Sequence, residues 1–354
     1  MTHPYEDTPP QGFWRSGVVE TDRQTWPEIY TPAFRIAPDT AVATAGSCFA
    51  QHIGRALRQS GMTVLDAEPK PAGMSDALAK RFGYGLYSAR YGNIYTARQL
   101  RELLEDALEL HVDARHFLQR DGAWFDALRP GVEPEGCATR EEAIELRREH
   151  LVQVAALTQV TDVFVFTLGL TEGWIDRETG RVLAVAPGVI AGDYDPDRYV
   201  FHNFTYDEIL ADLTKVLRLL RRMNASVRLL LTVSPVPLTG TASGAHVLAA
   251  TTYSKSVLRA AAGALADQHK SVDYFPSYEI VTTWAAPEAA FAANLRAVRP
   301  EMVDRVMEIF LTAHEVEHGA EKAAPHEAVP GEDNHHLASE LPPCQEALFE
   351  ALRR

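Results

Sequence analysis

Ala41-Val42-Ala43-Thr44-Ala45-Gly46-Ser47-Cys48-Phe49-Ala50 is the stretch whose reading decides the fold. A short apolar run stops at Gly46, and an amphipathic segment, Cys48 to Gln59, begins directly after it. The pattern predicts a strand, a tight turn and a helix. Glycine lets the backbone bend sharply at such a turn, and the first N–H groups of the helix then point at whatever occupies it. Ser47 and Cys48 occupy it. A thiol or hydroxyl there feels the positive end of the helix dipole, which favours a thiolate and can hold an oxyanion.

Outward from this turn the chain alternates strand and helix signals. The first helix keeps Ile53, Ala56 and Leu57 on one face and stops at Ser60-Gly61, and Met62 to Leu65 reads as a second strand. Val163 to Leu168 is a continuous apolar run between Asp162 and Gly169, as expected of a central parallel strand buried on both faces. Val227 to Val233 and Val272 to Phe275 read as the fourth and fifth strands, separated by an alanine-rich helix over about 247–268. Thr205 caps a helix running to Met223, and Pro300 opens a closing helix through Leu311. Strands separated by helices, with right-handed crossovers, predict an α/β protein: a three-layer α/β/α sandwich around a five-stranded parallel sheet.

Residues about 67–160 are too many for a simple crossover and read as a helical insertion packed over the sheet edge or the site. Thr96 with Gln99 and Thr139 with Glu142 have capping-box spacing, so two helices are expected there. The run Phe82 to Asn93 alternates aromatics with glycines, which suits turn packing and also a binding loop. Arg177 to Gly180 reads as the turn of a hairpin joining Trp174-Ile175 to Val182-Leu183 outside the main sheet. Residues 1–38 read as an N-terminal arm packed on the domain through aromatic residues, 39–319 as the main domain, and 320–354 as a mobile tail with a short helix near Cys344 to Leu352.

Composition narrows the chemistry. A hydrophobic content of 46% supports a buried core, and a net charge of −14 argues against a nucleic-acid partner, whose phosphates need clustered cations. The three cysteines, Cys48, Cys137 and Cys344, have no paired spacing, so neither a disulfide framework nor a cysteine-rich zinc site is suggested. No apolar run approaches the ~20 residues that span a bilayer, and the polar, proline-rich start lacks the features of a signal peptide. A cytoplasmic protein is expected; the oligomeric state is not legible.

In open parallel sheets ligands bind beyond the carboxyl ends of the strands, where Ser47, Cys48, Gly169 to Glu172, Ser234, Tyr278 and Glu279 are expected to gather. The blocks Gly46-Ser47-Cys48-Phe49-Ala50, Gly92 to Thr96, Phe166 to Glu172, Phe201 to Thr205, Thr232 to Pro235 and Tyr274 to Glu279 resemble those of the GSCFA family. That family belongs with the SGNH/GDSL-type hydrolases and acyltransferases, and the resemblance covers roughly residues 40 to 310. It implies an SGNH or flavodoxin-like sandwich. Laying Gly-Ser-Cys-Phe over the relatives' Gly-Asp-Ser-Leu puts Cys48 on the nucleophile position, whereas matching serine to serine selects Ser47. The more nucleophilic thiol is favoured.

Where the relatives carry a Gly-x-Asn-Asp block, this chain reads Gly169-Leu170-Thr171-Glu172. Gly46, Gly169, Thr171, Asn203 and Ser234 are then the expected oxyanion or substrate contacts, and Glu172 the group that orients a histidine or binds a hydroxyl. The relatives' Asp-x-x-His before the last helix has no counterpart in Asn294 to Pro300. His246, then His202, then His52 are the substitutes for the missing base. His314-Glu315-Val316-Glu317-His318 matches a zinc-protease pattern but falls at the end of the last helix, without an apolar helix to bury a metal, and reads as a solvated helix end; the downstream His335-His336 pair could complete an adventitious metal site, nothing more. No metal is expected. The sequence thus points to an acyl ester hydrolase or O-acyltransferase acting, most simply with acetyl groups, on a carbohydrate or other hydroxylated metabolite. No resident cofactor is expected, and acetyl-CoA is the donor if the direction is transfer. The rival reading is a binding or scaffold protein that kept the fold and lost the base.

Overall fold

The computed structural model of the chain describes residues 3–183 and 185–316. In chain order the elements are β1 (Val42–Gly46), α1 (Ala50–Gln59), α2 (Asp76–Arg81), α3 (Ala97–Glu109), β2 (Phe117–Arg120), β3 (Ala123–Asp126), α4 (Arg140–Val160) and β4 (Val163–Leu168). Then follow β5 (Glu172–Asp176), β6 (Val182–Leu183), β7 (Tyr199–Asn203), α5 (Tyr206–Met223), β8 (Arg228–Val233), α6 (Val247–Gln268), β9 (Val272–Phe275), α7 (Ser277–Thr282) and α8 (Pro300–Ala313). Thr96 and Thr205 form complete capping boxes with Gln99 and Glu208, and Thr139 caps α4, so the main helix starts lie where their cap residues put them. Among the described residues no helix is long and apolar enough to cross a membrane.

The main sheet is parallel, in the order β1-β4-β8-β9. This corrects the five-stranded expectation: Met62 to Leu65 does not become a strand but makes one isolated bridge, Val64 to Val42. Val42 N–H donates to Thr63 O and Leu65 N–H to Val42 O, both at 2.9 Å, before the chain turns away and Ala67 N–H donates to Ser88 O. The segment still lies on the outer side of β1. The chain therefore winds outward after β1 and returns to β4 on the inner side, reversing direction between those two strands. Such a reversal leaves a crevice at the carboxyl ends of the strands, because the connecting segments depart in opposite directions.

Helices cover both faces. Val42, Val163, Val165, Leu230 and Phe275 pack with Ile53 and Leu57 of α1, Ile280 of α7 and Val306 and Phe310 of α8. Ala43, Ala45, Phe164, Phe166, Leu229 and Leu231 face the opposite way, onto α3, α4, α5 and α6. Alternation along each strand sends successive side chains to opposite faces, and both sets are fully apolar, as the uninterrupted hydrophobic run of β4 requires. The insertion helices α3 and α4 share this second core with α5, so they extend the helical layer of the domain. The hairpin β5–β6 forms as expected and gains β7 as a third antiparallel strand; the β2–β3 hairpin was not foreseen.

The N-terminal arm is anchored through buried Trp26, Tyr30 and Ile36. Tyr30 hydroxyl donates to Asp273 Oδ2 at 2.7 Å and Ala33 N–H to the same oxygen at 2.9 Å. His314, the first residue of the zinc-like pattern, is buried beside Tyr30 and Phe310, where Ile36 N–H donates to its Nδ1 at 3.4 Å. Burial, then Arg35, lowers its pKa to about 4, so it serves as a neutral packing group. His318, His335-His336, Cys344 and the expected tail lie outside the described residues.

Between α3, α4 and β6 runs a polar seam. Asp106 pairs with Arg147 and Arg181, while Asp212 of α5 receives Arg98 at 2.8 Å and Arg101 at 2.6 Å. Glu102 accepts from Val182 N–H at 3.1 Å and lines a cavity of about 30 Å³, room for water. Burial pushes the Glu102 carboxyl up to about 7, against the lowering effect of the Val182 N–H and the nearby arginines. A carboxyl raised in the folded state holds a proton there that the unfolded chain has already released, so its contribution to stability falls as pH rises from the unfolded carboxylate range through about 7.

Two predictions follow from this architecture. Gly46 has φ +138°, and a Cβ there would lie 2.4 Å from Thr167 O and 2.8 Å from Thr167 N. Gly46→Ala is expected to lower unfolding free energy in urea by more than about 2 kcal/mol, strain and overlap acting together. Glu102→Gln keeps an acceptor for Val182 and removes the titration. It should stabilise the protein relative to wild type at pH 8 and be near neutral at pH 5; an equal effect at both pH values contradicts the assignment.

Candidate active site

The turn after β1 is built from backbone contacts to β4 and to the insertion. Ser47 N–H donates to Thr167 O at 3.1 Å, and Ile94 N–H donates to Gly46 O at 2.9 Å. Ala50, Gln51 and His52 N–H donate to the carbonyls of Ser47, Cys48 and Phe49 at 2.8, 3.2 and 3.1 Å, so the chain enters α1 through a tight turn of three-residue bonds. The two candidate nucleophiles differ in exposure. Ser47 is 3% exposed, and its Oγ is buried with no hydrogen-bond partner among the described residues. Cys48 is half-buried.

Across the crevice, Gly169 and Leu170 N–H both donate to Tyr95 O at 3.0 Å. A Cβ on Gly169 would lie 3.0 Å from Ser47 Cβ and 3.2 Å from Tyr95 O, so the glycine is what lets this turn close on the Gly46-Ser47 turn. Thr171 N–H donates to Ser254 Oγ at 3.0 Å, and Thr171 hydroxyl donates to Asn203 Oδ1 at 2.7 Å. The donors expected from Gly169 and Thr171 for an oxyanion are thus engaged within the protein, where they fix the turn. Gly169 O accepts from Lys255 Nζ at 2.7 Å.

The remaining expected residues surround this centre. Ser234 is buried after β8, with its N–H on Leu168 O at 2.8 Å and its Oγ accepting from Val236 N–H at 3.3 Å. Glu172 accepts from Thr241 hydroxyl at 2.6 Å, and burial raises its pKa. Asn203 stands opposite Glu172 in the β5–β7 ladder. His202 is held by Glu208 at 2.9 Å with its ring against Phe204, and His246 caps α6, its Nδ1 accepting from Leu248 N–H at 3.2 Å at an exposed position. His52 lies against Phe49, its pKa lowered to about 4 by burial and then by Arg55. At the far strand, Tyr274 hydroxyl donates to Glu279 at 2.9 Å, and Arg259 pairs with the same carboxylate. Gly46, Ser47, Gly169, Thr171 and Asn203 thus form one connected centre, while His202 and His246 are each tied into another element.

Sequence reasoning missed the second wall of this centre. Gln51 Nε2 donates to Tyr87 hydroxyl at 3.1 Å, Tyr87 hydroxyl to Asn93 Oδ1, and Asn93 Nδ2 to Tyr95 hydroxyl at 3.1 Å. The block Gly92 to Thr96 carries two of these residues. Lys255 was missed as well, although it stands three and seven residues before the inward-facing Leu258 and Ala262, which puts it on the buried side of α6.

The GSCFA family profile matches residues 41–310, spanning the strands, the insertion and α8. The chain belongs to the GSCFA family. No curated protein matches this GSCFA sequence. Among solved structures, a family 3 carbohydrate esterase from Talaromyces cellulolyticus is similar at 9% identity and TM-score 0.36, over 78% of this chain and 100% of that one. A family 3 carbohydrate esterase from Clostridium thermocellum is similar at 11% identity and TM-score 0.34, over 77% and 94% of the two chains. A GDSL-like lipase from Bacteroides thetaiotaomicron is similar at 14% identity and TM-score 0.27, over 49% and 70%. These likenesses are remote.

The cysteines of this GSCFA protein should differ in reactivity. Cys137 is buried, and burial, followed by Glu142 and Glu133, pushes its thiol up to about 11, so hardly any thiolate exists at neutral pH. Iodoacetamide at neutral pH followed by peptide mass mapping should label Cys48 at least about tenfold faster than Cys137. Equal rates would contradict the difference in environment.

Proposed function

We propose that this GSCFA protein cleaves or transfers an acyl group, most simply acetyl, on a carbohydrate or other hydroxylated metabolite, through a covalent acyl-enzyme. The observation that carries the reading is the half-buried Cys48 thiol in the turn between β1 and α1, at the crevice where the winding of the sheet reverses. A nucleophile must meet its substrate, and of the two neighbours only Cys48 is exposed enough to do so; Ser47 backs the turn. The thiolate attacks the acyl carbonyl, the positive end of the α1 dipole favours the new oxyanion, and collapse forms a thioester while the alkoxide leaves with a proton. Water then releases the acid, or an acceptor hydroxyl takes the acyl group.

In the transfer direction acetyl-CoA is the donor, and neither direction needs a resident cofactor. The net charge of −14 disfavours nucleic acid as substrate, and three cysteines without paired spacing suit a reducing compartment such as the cytoplasm. Intact-protein mass after incubation with p-nitrophenyl acetate or acetyl-CoA tests the reading in the wild type, Cys48→Ala and Ser47→Ala. A mass gain of one acetyl group, lost in Cys48→Ala and kept in Ser47→Ala, is expected. Loss only in Ser47→Ala would move the nucleophile. Absence of adduct and turnover in every form, with both donors, would leave a binding protein that retained the fold.

A further inference from the structure

We infer that Lys255 is the proton acceptor of this site, taking the part for which the Asn294 to Pro300 segment offers no histidine. The inference rests on the acyl-transfer reading and supplies the base that reading lacks. Lys255 is 1% exposed, and it reaches from the third turn of α6 to the carbonyl of Gly169, Nζ to O 2.7 Å. Gly169 is the residue that closes on Ser47, so one residue separates the amine from the turn that carries Cys48. The adjoining Ser254 accepts from Thr171 N–H, which docks this part of α6 on the same strand end.

Two physical considerations set Lys255 apart from the other candidates. Withdrawing an ammonium from water is costly, so a lysine held fully inside a domain is rarely a matter of packing alone. A lysine out of water also releases its proton more readily, which is why such lysines act as general bases where histidine is missing. The histidines first considered are committed elsewhere: His202 to Glu208 and His246 to the cap of α6. Asn294 to Pro300, the segment that lacks a histidine, is joined to the strand-end loops by Arg296, whose Nε donates to Pro237 O at 3.2 Å.

The proton balance is complete without another reactant. The neutral amine takes the Cys48 proton, and the thiolate attacks the ester carbonyl. When the tetrahedral adduct collapses, the carbon–oxygen bond breaks and the ammonium returns the proton to the departing alkoxide. In the second half the amine takes a proton from water as hydroxide adds to the thioester, and the departing Cys48 thiolate recovers it. Ester and water become acid and alcohol.

The test compares wild type, Lys255→Met and Lys255→Arg in p-nitrophenyl acetate hydrolysis, with kcat and KM measured across pH, and in the pH dependence of Cys48 alkylation. Lys255→Met keeps the volume without the amine, and Lys255→Arg keeps the charge without a usable base. Both should lose at least about a hundredfold in kcat with KM within about threefold, and Cys48 alkylation in Lys255→Met should require higher pH than in wild type. If both variants fold by circular dichroism and retain kcat and the pH profile, or if Lys255→Arg alone restores wild-type rates, Lys255 only supports the Gly169 carbonyl and the inference falls. Should neither variant fold, the ε-¹³C signals of the wild-type lysines decide: one buried lysine losing its proton before the surface lysines supports the role, and uniform titration overturns it. A wild type that neither turns over ester nor forms an adduct would instead refute the acyl-transfer reading itself.

Discussion

At Gly46 the backbones of β1 and β4 approach so closely that even a methyl group would overlap Thr167. Everything at the carboxyl end of the sheet depends on that approach. With no side chain and φ +138°, the strand can stop, give Ser47 N–H to Thr167 O and turn into α1 within three residues. Gly169 repeats the device from the other strand, leaving room for Ser47 and Tyr95. Two glycines on neighbouring strands thus bring two turns together at the point where the winding reverses, and a half-exposed thiol and a buried amine are carried there as a result.

The parallel α/β class was legible because it is written in local signals: an apolar run ending at glycine, capping residues three before their partners, and a proline opening α8. The number of strands was not. Met62 to Leu65 has the apolar character of a strand, yet the chain leaves β1 after two hydrogen bonds, and pairing length is a tertiary property. The strand β7 was hidden for a similar reason: Tyr199 to Asn203 alternates no more clearly than a loop, and it becomes a strand only because β5 offers it an edge. In the site, Ser47, Cys48, Gly169 and Thr171 could be named from the strand ends. Which of their hydrogen-bonding groups are still available could not, since Tyr95, Ser254 and Asn203 come from distant parts of the chain. Lys255 shows the same limit: its spacing to Leu258 and Ala262 puts it on the inner side of α6, but the Gly169 carbonyl it meets comes from a distant strand end.

The insertion obeys a different logic from the sheet. Its helices join the apolar core through Leu100, Leu104, Leu151 and Val154, but their other contacts are charged, with Asp106, Asp212 and four arginines meeting at low exposure. Such pairs add little net stability compared with apolar packing, because each charge must first leave water. What they do add is directionality: a bidentate arginine tolerates far fewer relative positions than a leucine. The seam therefore sets the register of α3 and with it Tyr95, the residue that receives the turn after β4.

The N-terminal arm has a consequence for the border of the sheet. β9 is the last strand of the sheet, and its outer side would present unpaired backbone groups to any other chain. Tyr30 and Ala33 bind Asp273 in the middle of that strand, while on the opposite border residues 63 and 65 bond to β1. Irregular chain thus meets both borders, through the Asp273 carboxylate on one and through two backbone hydrogen bonds on the other. The arm thus ends its path against the outermost strand, and the rim of the sheet is where the chain's first residues are tied to the domain.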